Sequence, residues 1–188
     1  MMRLVLASKS PRRKELLGLI ASDFIVKSAE TPEIILPTDE PHIAVMALAF
    51  EKAKVVQETC EKDSLVIGAD TIVYCGEYMG KPKDKEDARR MLKLLSGNVH
   101  RVLTGFCVYQ AGTNRKIVDY SETTVRMKVL SDAEIDGYIE SGEPMDKAGA
   151  YGIQGKGALF IKHIEGDFHS VMGLPVNKLY ETLNRHFK

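Results

Sequence analysis

The most constraining stretch of the chain is Leu65-Val66-Ile67-Gly68-Ala69-Asp70-Thr71-Ile72-Val73-Tyr74. β-branched and aliphatic residues on both sides of Gly68-Ala69-Asp70-Thr71 read as buried strand, and a lone carboxylate sits badly there. Asp70 therefore requires a partner: a turn it caps, a buried base, a metal ion or a ligand. Gly68 and Ala69 leave space beside it for close approach, and Thr71 adds a hydroxyl.

Only a chain with a real interior can surround such a strand. At 188 residues, 44% hydrophobic and 28% charged, this one suits a single globular domain spanning 1–188. Lys plus Arg and Asp plus Glu both number 26, which excludes an extended basic surface for nucleic acid, so any anion site must be a local cluster. Cys60, Cys75 and Cys107 are odd in number and lack zinc-ligand spacing, pointing to a reducing compartment. The apolar run after Met1 and Met2 is too short for a signal segment, and no stretch reaches membrane-spanning length. A cytoplasmic protein without membrane attachment is expected.

Leu4 to Ala7 reads as a first strand entering Ser8-Lys9-Ser10-Pro11-Arg12-Arg13-Lys14. Ser10 is a good N-cap, Pro11 suits the first helical position, and Leu16 and Leu17 supply an apolar face for a helix ending by Ala21 or Ser22. Arg12, Arg13 and Lys14 then lie at the positive end of the helix dipole, a conflict of up to about 1 kcal/mol each. An anion removes it. The N–H groups, the Ser8 and Ser10 hydroxyls and two guanidinium forks describe a phosphate cradle at a strand-to-helix turn.

A second strand at Phe24 to Val26 precedes an acidic, proline-punctuated loop over 28–41, where Glu33 stands between Pro32 and an apolar run. A helix follows from His42 to Gln57, carrying Lys52 and Lys54. Gly76 to Gly80 turns the chain, Pro82 stiffens the backbone at Lys81, and Asp84 caps a helix ending at Gly97. Val99 to Tyr109 and Lys116 to Val129 form a long hairpin, and Ser131-Asp132-Ala133-Glu134 is a capping box.

The segment from Glu143 to Gly157 has four glycines within nine residues, incompatible with a regular helix or central strand. Its backbone is shaped for close approach, with Asp146, Lys147 and Gln154 as polar readers. Ala158 to Ile161 reads as strand, and the stretch ending at Pro175 leads to a C-terminal helix with Leu179, Leu183 and His186 on one face. His163, His169 and His186 lack metal-ligand spacing, and no HExxH, GxSxG, GxGxxG or P-loop motif occurs.

Four segments, Leu6-Ala7-Ser8-Lys9-Ser10-Pro11-Arg12-Arg13, Gly68-Ala69-Asp70-Thr71, Gly80-Lys81-Pro82 and Asp146-Lys147-Ala148-Gly149-Ala150-Tyr151-Gly152-Ile153-Gln154-Gly155, stand in this order. Together they resemble the Maf (septum formation inhibitor) family of nucleoside triphosphate pyrophosphatases, over almost the whole chain. The resemblance implies an α/β fold of inosine triphosphatase type, with a central mixed sheet flanked by helices and a deep cleft between two lobes. It also implies hydrolysis between the α and β phosphates with a divalent cation, Mg2+ or Mn2+. By similarity Asp70 is the proton acceptor, while Arg12, Thr71 and Gln154 govern base choice in the manner of the dTTP/UTP subgroup. A homodimer and a cell-division protein partner are further implications.

Residue chemistry agrees with that assignment. A triphosphate carries close to four negative charges, so attack at the α phosphorus needs cations around the leaving pyrophosphate. Ser8, Arg12, Arg13, Lys52 and Lys81 are the phosphate-binding candidates, and Asp70 with Glu33 the metal candidates. Asp70 serves equally as base or ligand on this evidence. The competing readings are a non-catalytic nucleotide-binding regulator of cell division and a purine or 7-methyl-GTP pyrophosphatase.

Overall fold

Strand β1 (Leu4–Ala7) is short and wholly aliphatic, and it lies in parallel pairing between β2 (Ile25–Lys27) and β3 (Leu65–Tyr74). The successive residues Val5, Leu6 and Ala7 are all buried, so both faces of the strand are covered, which explains why its sequence does not alternate. The computed structural model describes residues 3–28, 30–36 and 38–187; Met1 and Met2 of the predicted N-terminal run, and Ala29 and Pro37 of the predicted acidic loop, lie outside them. Within the described residues the sheet has strand order β2-β1-β3-β5-β6-β7, with β4 (Tyr78–Met79) paired to β3. The β1 pairs are parallel, whereas β3–β4 and β6–β7 are antiparallel, so the sheet is mixed, as expected.

The chain divides into two compact units, and β3, β5 (Val99–Gln110) and β6 (Lys116–Met127) each contribute residues to both. The first contains residues 1–70, 104–121 and 173–188. Its organising contact is the seat of helix α2 (Pro41–Gln57) on two glycines. A Cβ on Gly68 of β3 would lie 2.3 Å from the Ala49 carbonyl oxygen, and one on Gly105 of β5 would lie 2.4 Å from that of Val45. No side chain fits at either position, so helix backbone rests directly on strand backbone. Val5, Ala7, Ala53, Val56, Val66, Cys107 and Tyr109 pack around this seat. Burial pushes the Cys107 thiol up to about 12, against the opposing influence of Lys116.

The second unit contains residues 71–103 and 122–172. Helix α3 (Lys85–Leu95), capped by Asp84, turns Ala88, Met91, Leu92 and Leu95 inward at helical spacing. Helix α4 (Asp132–Glu140) opens with the predicted capping box, whose Glu134 also pairs with Lys128. Both helices share a core with Val73, Val102, Val125, Met127, Ala150, Tyr151 and Phe160.

One predicted strand is displaced. Ala158 to Phe160 belong to a 3-10 helix, Gly155–Phe160, and strand β7 begins at Ile161. Gly155 turns left-handed at φ +67 and the Glu143 carboxylate accepts the next two N–H groups, so a helical turn starts where apolar composition alone suggests extension. Helix α1 (Pro11–Gly18) is shorter than predicted, and a short helix α5 (Phe168–Met172) was not anticipated. Helix α6 (Val176–His186) closes the chain as expected. Among the described residues no helix is long and apolar enough to cross a membrane.

Candidate active site

Asp70 is two residues beyond Gly68 on β3, so the two share a face of the strand. That is the face on which α2 rests, and Lys52 directly precedes Ala53, one of the residues seated on Gly68. The glycine seat thus brings the Lys52 ammonium into contact with the Asp70 carboxylate, and the same ammonium donates to Glu33 Oε1 at 2.8 Å. The Asp70 side chain is 9% exposed and that of Lys52 16%, whereas Glu33 is 61% exposed. Asp70 is therefore partnered by a base, one of the alternatives open to a carboxylate in a buried strand. Lys52, unremarkable in sequence, is the centre of the cluster, and Lys54 instead lies over the Phe50 ring.

The cradle at the end of β1 belongs to the same unit. Ser10 caps α1 by accepting the Arg13 N–H, and the Ser8 hydroxyl accepts both the Ser10 N–H and Arg13 Nη1. Arg13 Nε donates to the Gly173 carbonyl at 2.9 Å, a partner 160 positions away that no sequence pattern announces. Burial and the neighbouring Arg12 lower the Arg13 pKa, while Asp70 and Glu33 act to raise it. A guanidinium remains charged after such a shift. Arg13 and Lys52 therefore set two cations against the carboxylates of Glu33 and Asp70, with Arg12 next to Arg13.

Asp70 and Glu33 are also the carboxylates available to a metal. Among the described residues no three His, Cys, Asp or Glu gather as a dedicated cage. Mg2+ in nucleotide enzymes typically takes one or two protein carboxylates and completes its shell with phosphates and water, so this donor pair fits a cation carried in by the substrate.

The other three candidates lie in the second unit. Thr71 shares a face of β3 with Val73, whose side chain would meet a Cβ on Gly149 at 2.9 Å. Lys81 is exposed in the turn after β4, beside Gly80, whose carbonyl accepts the Gly149 N–H at 3.0 Å. Gln154 is exposed at the start of the 3-10 helix Gly155–Phe160. Three residues around this segment were not singled out from sequence: Glu143, Tyr138 and His100. The buried His100 ring makes a 2.7 Å Nε2 bond with the Tyr151 hydroxyl, and its Nδ1 has no hydrogen-bond partner among the described residues; burial holds its pKa at about 4.

The family model for Maf-like proteins matches residues 3–186. The chain belongs to the Maf family. This Maf chain is 52% identical over 188 residues to the dTTP/UTP pyrophosphatase of Alkaliphilus oremlandii, covering 100% of the chain and 97% of that relative. It is 47% identical over 187 residues to the dTTP/UTP pyrophosphatase of Alkaliphilus metalliredigens, with coverage of 100% and 97%. The corresponding protein of Bacillus cytotoxicus is 48% identical over 186 residues, with coverage of 98% and 96%. Among solved structures, the Staphylococcus aureus Ham1 protein aligns over 86% of this chain and 80% of its own at 15% identity and a TM-score of 0.49.

Proposed function

We propose that this Maf chain hydrolyses dTTP and UTP to the nucleoside monophosphate and pyrophosphate, with Asp70 as proton acceptor. The observation that carries the reading is the Lys52 ammonium shared by Asp70 and Glu33 beside the Arg13 guanidinium. A buried acid held among cations is poised for a polyanion: the phosphates attract Lys52, Arg12 and Arg13, and Asp70 gains a free lone pair for water. Ser8 and the α1 N-terminus add hydrogen-bond donors to the same cradle.

In the reaction a water oxygen forms a bond to the α phosphorus while the bond to the α,β-bridging oxygen breaks. Asp70 takes the water proton, and the electron pair leaves with pyrophosphate, whose charge Lys52, Arg13 and Lys81 neutralise. A divalent cation held by Asp70 and Glu33 would neutralise phosphate oxygens and acidify bound water. Gln154 offers an amide donor and acceptor to the edge of a pyrimidine, with Arg12 and Thr71 completing base choice. The free thiols of Cys60, Cys75 and Cys107 support placing the activity in the cytoplasm.

Asp70→Asn preserves shape and removes the base. Pyrophosphate release from dTTP and UTP with Mg2+ is expected to fall by about 10²–10⁴-fold in kcat. Wild-type protein that binds both nucleotides and turns over neither would identify a regulator, and preferred turnover of GTP or 7-methyl-GTP would reassign the base.

A further inference from the structure

Gln154 rides on a loop whose two ends are tied to the same pair of side chains. At the leading end, the Gly152 N–H donates to the Tyr138 hydroxyl at 3.2 Å, and that hydroxyl donates to Glu143 Oε1 at 3.0 Å. At the trailing end, the Lys156 N–H donates to Glu143 Oε2 at 3.1 Å and the Gly157 N–H to Oε1 at 3.2 Å. One carboxylate and one phenol thus close the loop from Gly152 to Gly157.

The glycines make this closure feasible. A Cβ on Gly155 would stand 2.8 Å from Glu143 Oε1, and one on Gly157 would stand 2.4 Å from the Gly152 carbonyl and 2.7 Å from the Tyr138 hydroxyl. The clamp is itself anchored. The Tyr138 ring packs edge-on against Phe160 at 5.0 Å, and Lys147 Nζ donates to the Glu143 carbonyl at 2.6 Å. Burial would raise the Glu143 pKa, but the two backbone N–H groups, the Tyr138 hydroxyl and Lys147 together hold it below the usual carboxylate value, so Glu143 stays ionised at neutral pH.

We propose that Glu143 and Tyr138 are positioning residues for base selection, clamping both ends of the Gly152–Gly157 loop so that Gln154 meets the base from a fixed backbone. The inference rests on the reading of Gln154 as the residue that reads the base. A glutamine on an unclamped loop would lose backbone freedom on each binding event, and it could rotate to accept either a carbonyl or an amino edge. Fixing the backbone sets the distance and angle from which the amide approaches, so that it meets the base edge from one direction at a lower ordering cost.

The test compares three single variants with UTP and CTP, which differ at the edge an amide reads. Tyr138→Phe keeps the ring against Phe160 and removes only the hydroxyl. Glu143→Gln keeps the size but turns an amide NH2 toward one of the loop N–H groups. Gln154→Ala is the reference. The ratio of kcat/KM for UTP to that for CTP is expected to fall about fivefold to tenfold in Tyr138→Phe and further in Glu143→Gln, with KM for UTP rising and kcat held within about twofold. Amide exchange at Gly152, Lys156 and Gly157 should accelerate. Adding Tyr138→Phe to Gln154→Ala should leave the ratio at the Gln154→Ala value, because a clamp that acts through Gln154 has nothing left to position. An unchanged ratio in both clamp variants, with a lowered one in Gln154→Ala, overturns the clamp and leaves the base-reading role standing. An unchanged ratio in Gln154→Ala overturns that role and the clamp with it.

Discussion

The Asp70 cluster and the Gln154 loop meet the same requirement, polar groups fixed in space, by opposite means. Around Asp70 most of the functional groups are side chains on regular elements, a strand, the body of a helix and the first turn of another, and Glu33 joins them from a loop. The meeting of Lys52 with Asp70 follows from close backbone packing at Gly68 and Gly105. Around Gln154 the backbone is irregular, and two side chains, Glu143 and Tyr138, do the fixing. Rigid elements suit the invariant part of the chemistry, charge on phosphate. A loop tied by a few hydrogen bonds suits the part that distinguishes one base from another.

The strongest test of this contrast is Lys52→Met, which strikes the first region alone. Without its shared ammonium the Asp70–Glu33 pair repels a triphosphate, and kcat/KM for dTTP should fall by about 10²–10³-fold with the UTP to CTP ratio unchanged. A loss confined to one base would show that the regions are not separable in this way.

Acid strikes the second region. The neutral His100 ring anchors Tyr151, and its folded pKa of about 4 lies below the ordinary 6.5. As pH falls from 6.5 toward 4, the unfolded chain takes up a proton that the folded one refuses, so stability drops; the contribution is restored as pH rises through that window. Denaturant titrations at about pH 7 and about pH 4.5 should differ by on the order of 2–3 kcal/mol on this account, and His100→Gln should flatten the difference. Equal slopes in the two proteins would remove His100 from the explanation.

Gly157→Ala is the mildest perturbation. Its Cβ meets the Gly152 carbonyl, so the loop must open, at an expected loss of about 1–3 kcal/mol in thermal or chemical unfolding. The UTP to CTP ratio should fall while kcat is retained, the reverse of the Lys52→Met pattern.

Sequence reasoning reads these regions unequally, for physical reasons. Asp70 is conspicuous because a carboxylate inside an aliphatic strand violates a strong rule, and the Ser8 to Arg13 cradle because cations sit at the wrong end of a helix. Lys52 carries no such signal: on an α-helix it resembles any solvated lysine until Gly68 draws the helix onto the strand. Gly173 is invisible for the same reason, since it contributes a carbonyl that every residue possesses. The glycine density of 149–157 marks unusual backbone, but spacing alone does not disclose that a glutamate is what the glycines admit. That missing information also misplaced the strand at 158–161. Most individual strands and helices, by contrast, follow from periodicity and caps in the local sequence, whereas their assembly into a mixed sheet is what the family resemblance implies.

Gly105 never needs to approach a nucleotide to matter to turnover. It lies 35 positions from Asp70 in sequence, yet a single methyl there would lift helix α2 and with it the lysine that the acid depends on. For anyone reading variants of this enzyme, a change at that remote, chemically inert position belongs beside changes to the acid itself: the spacing of the reactive charges is written in two absences rather than in the charged residues.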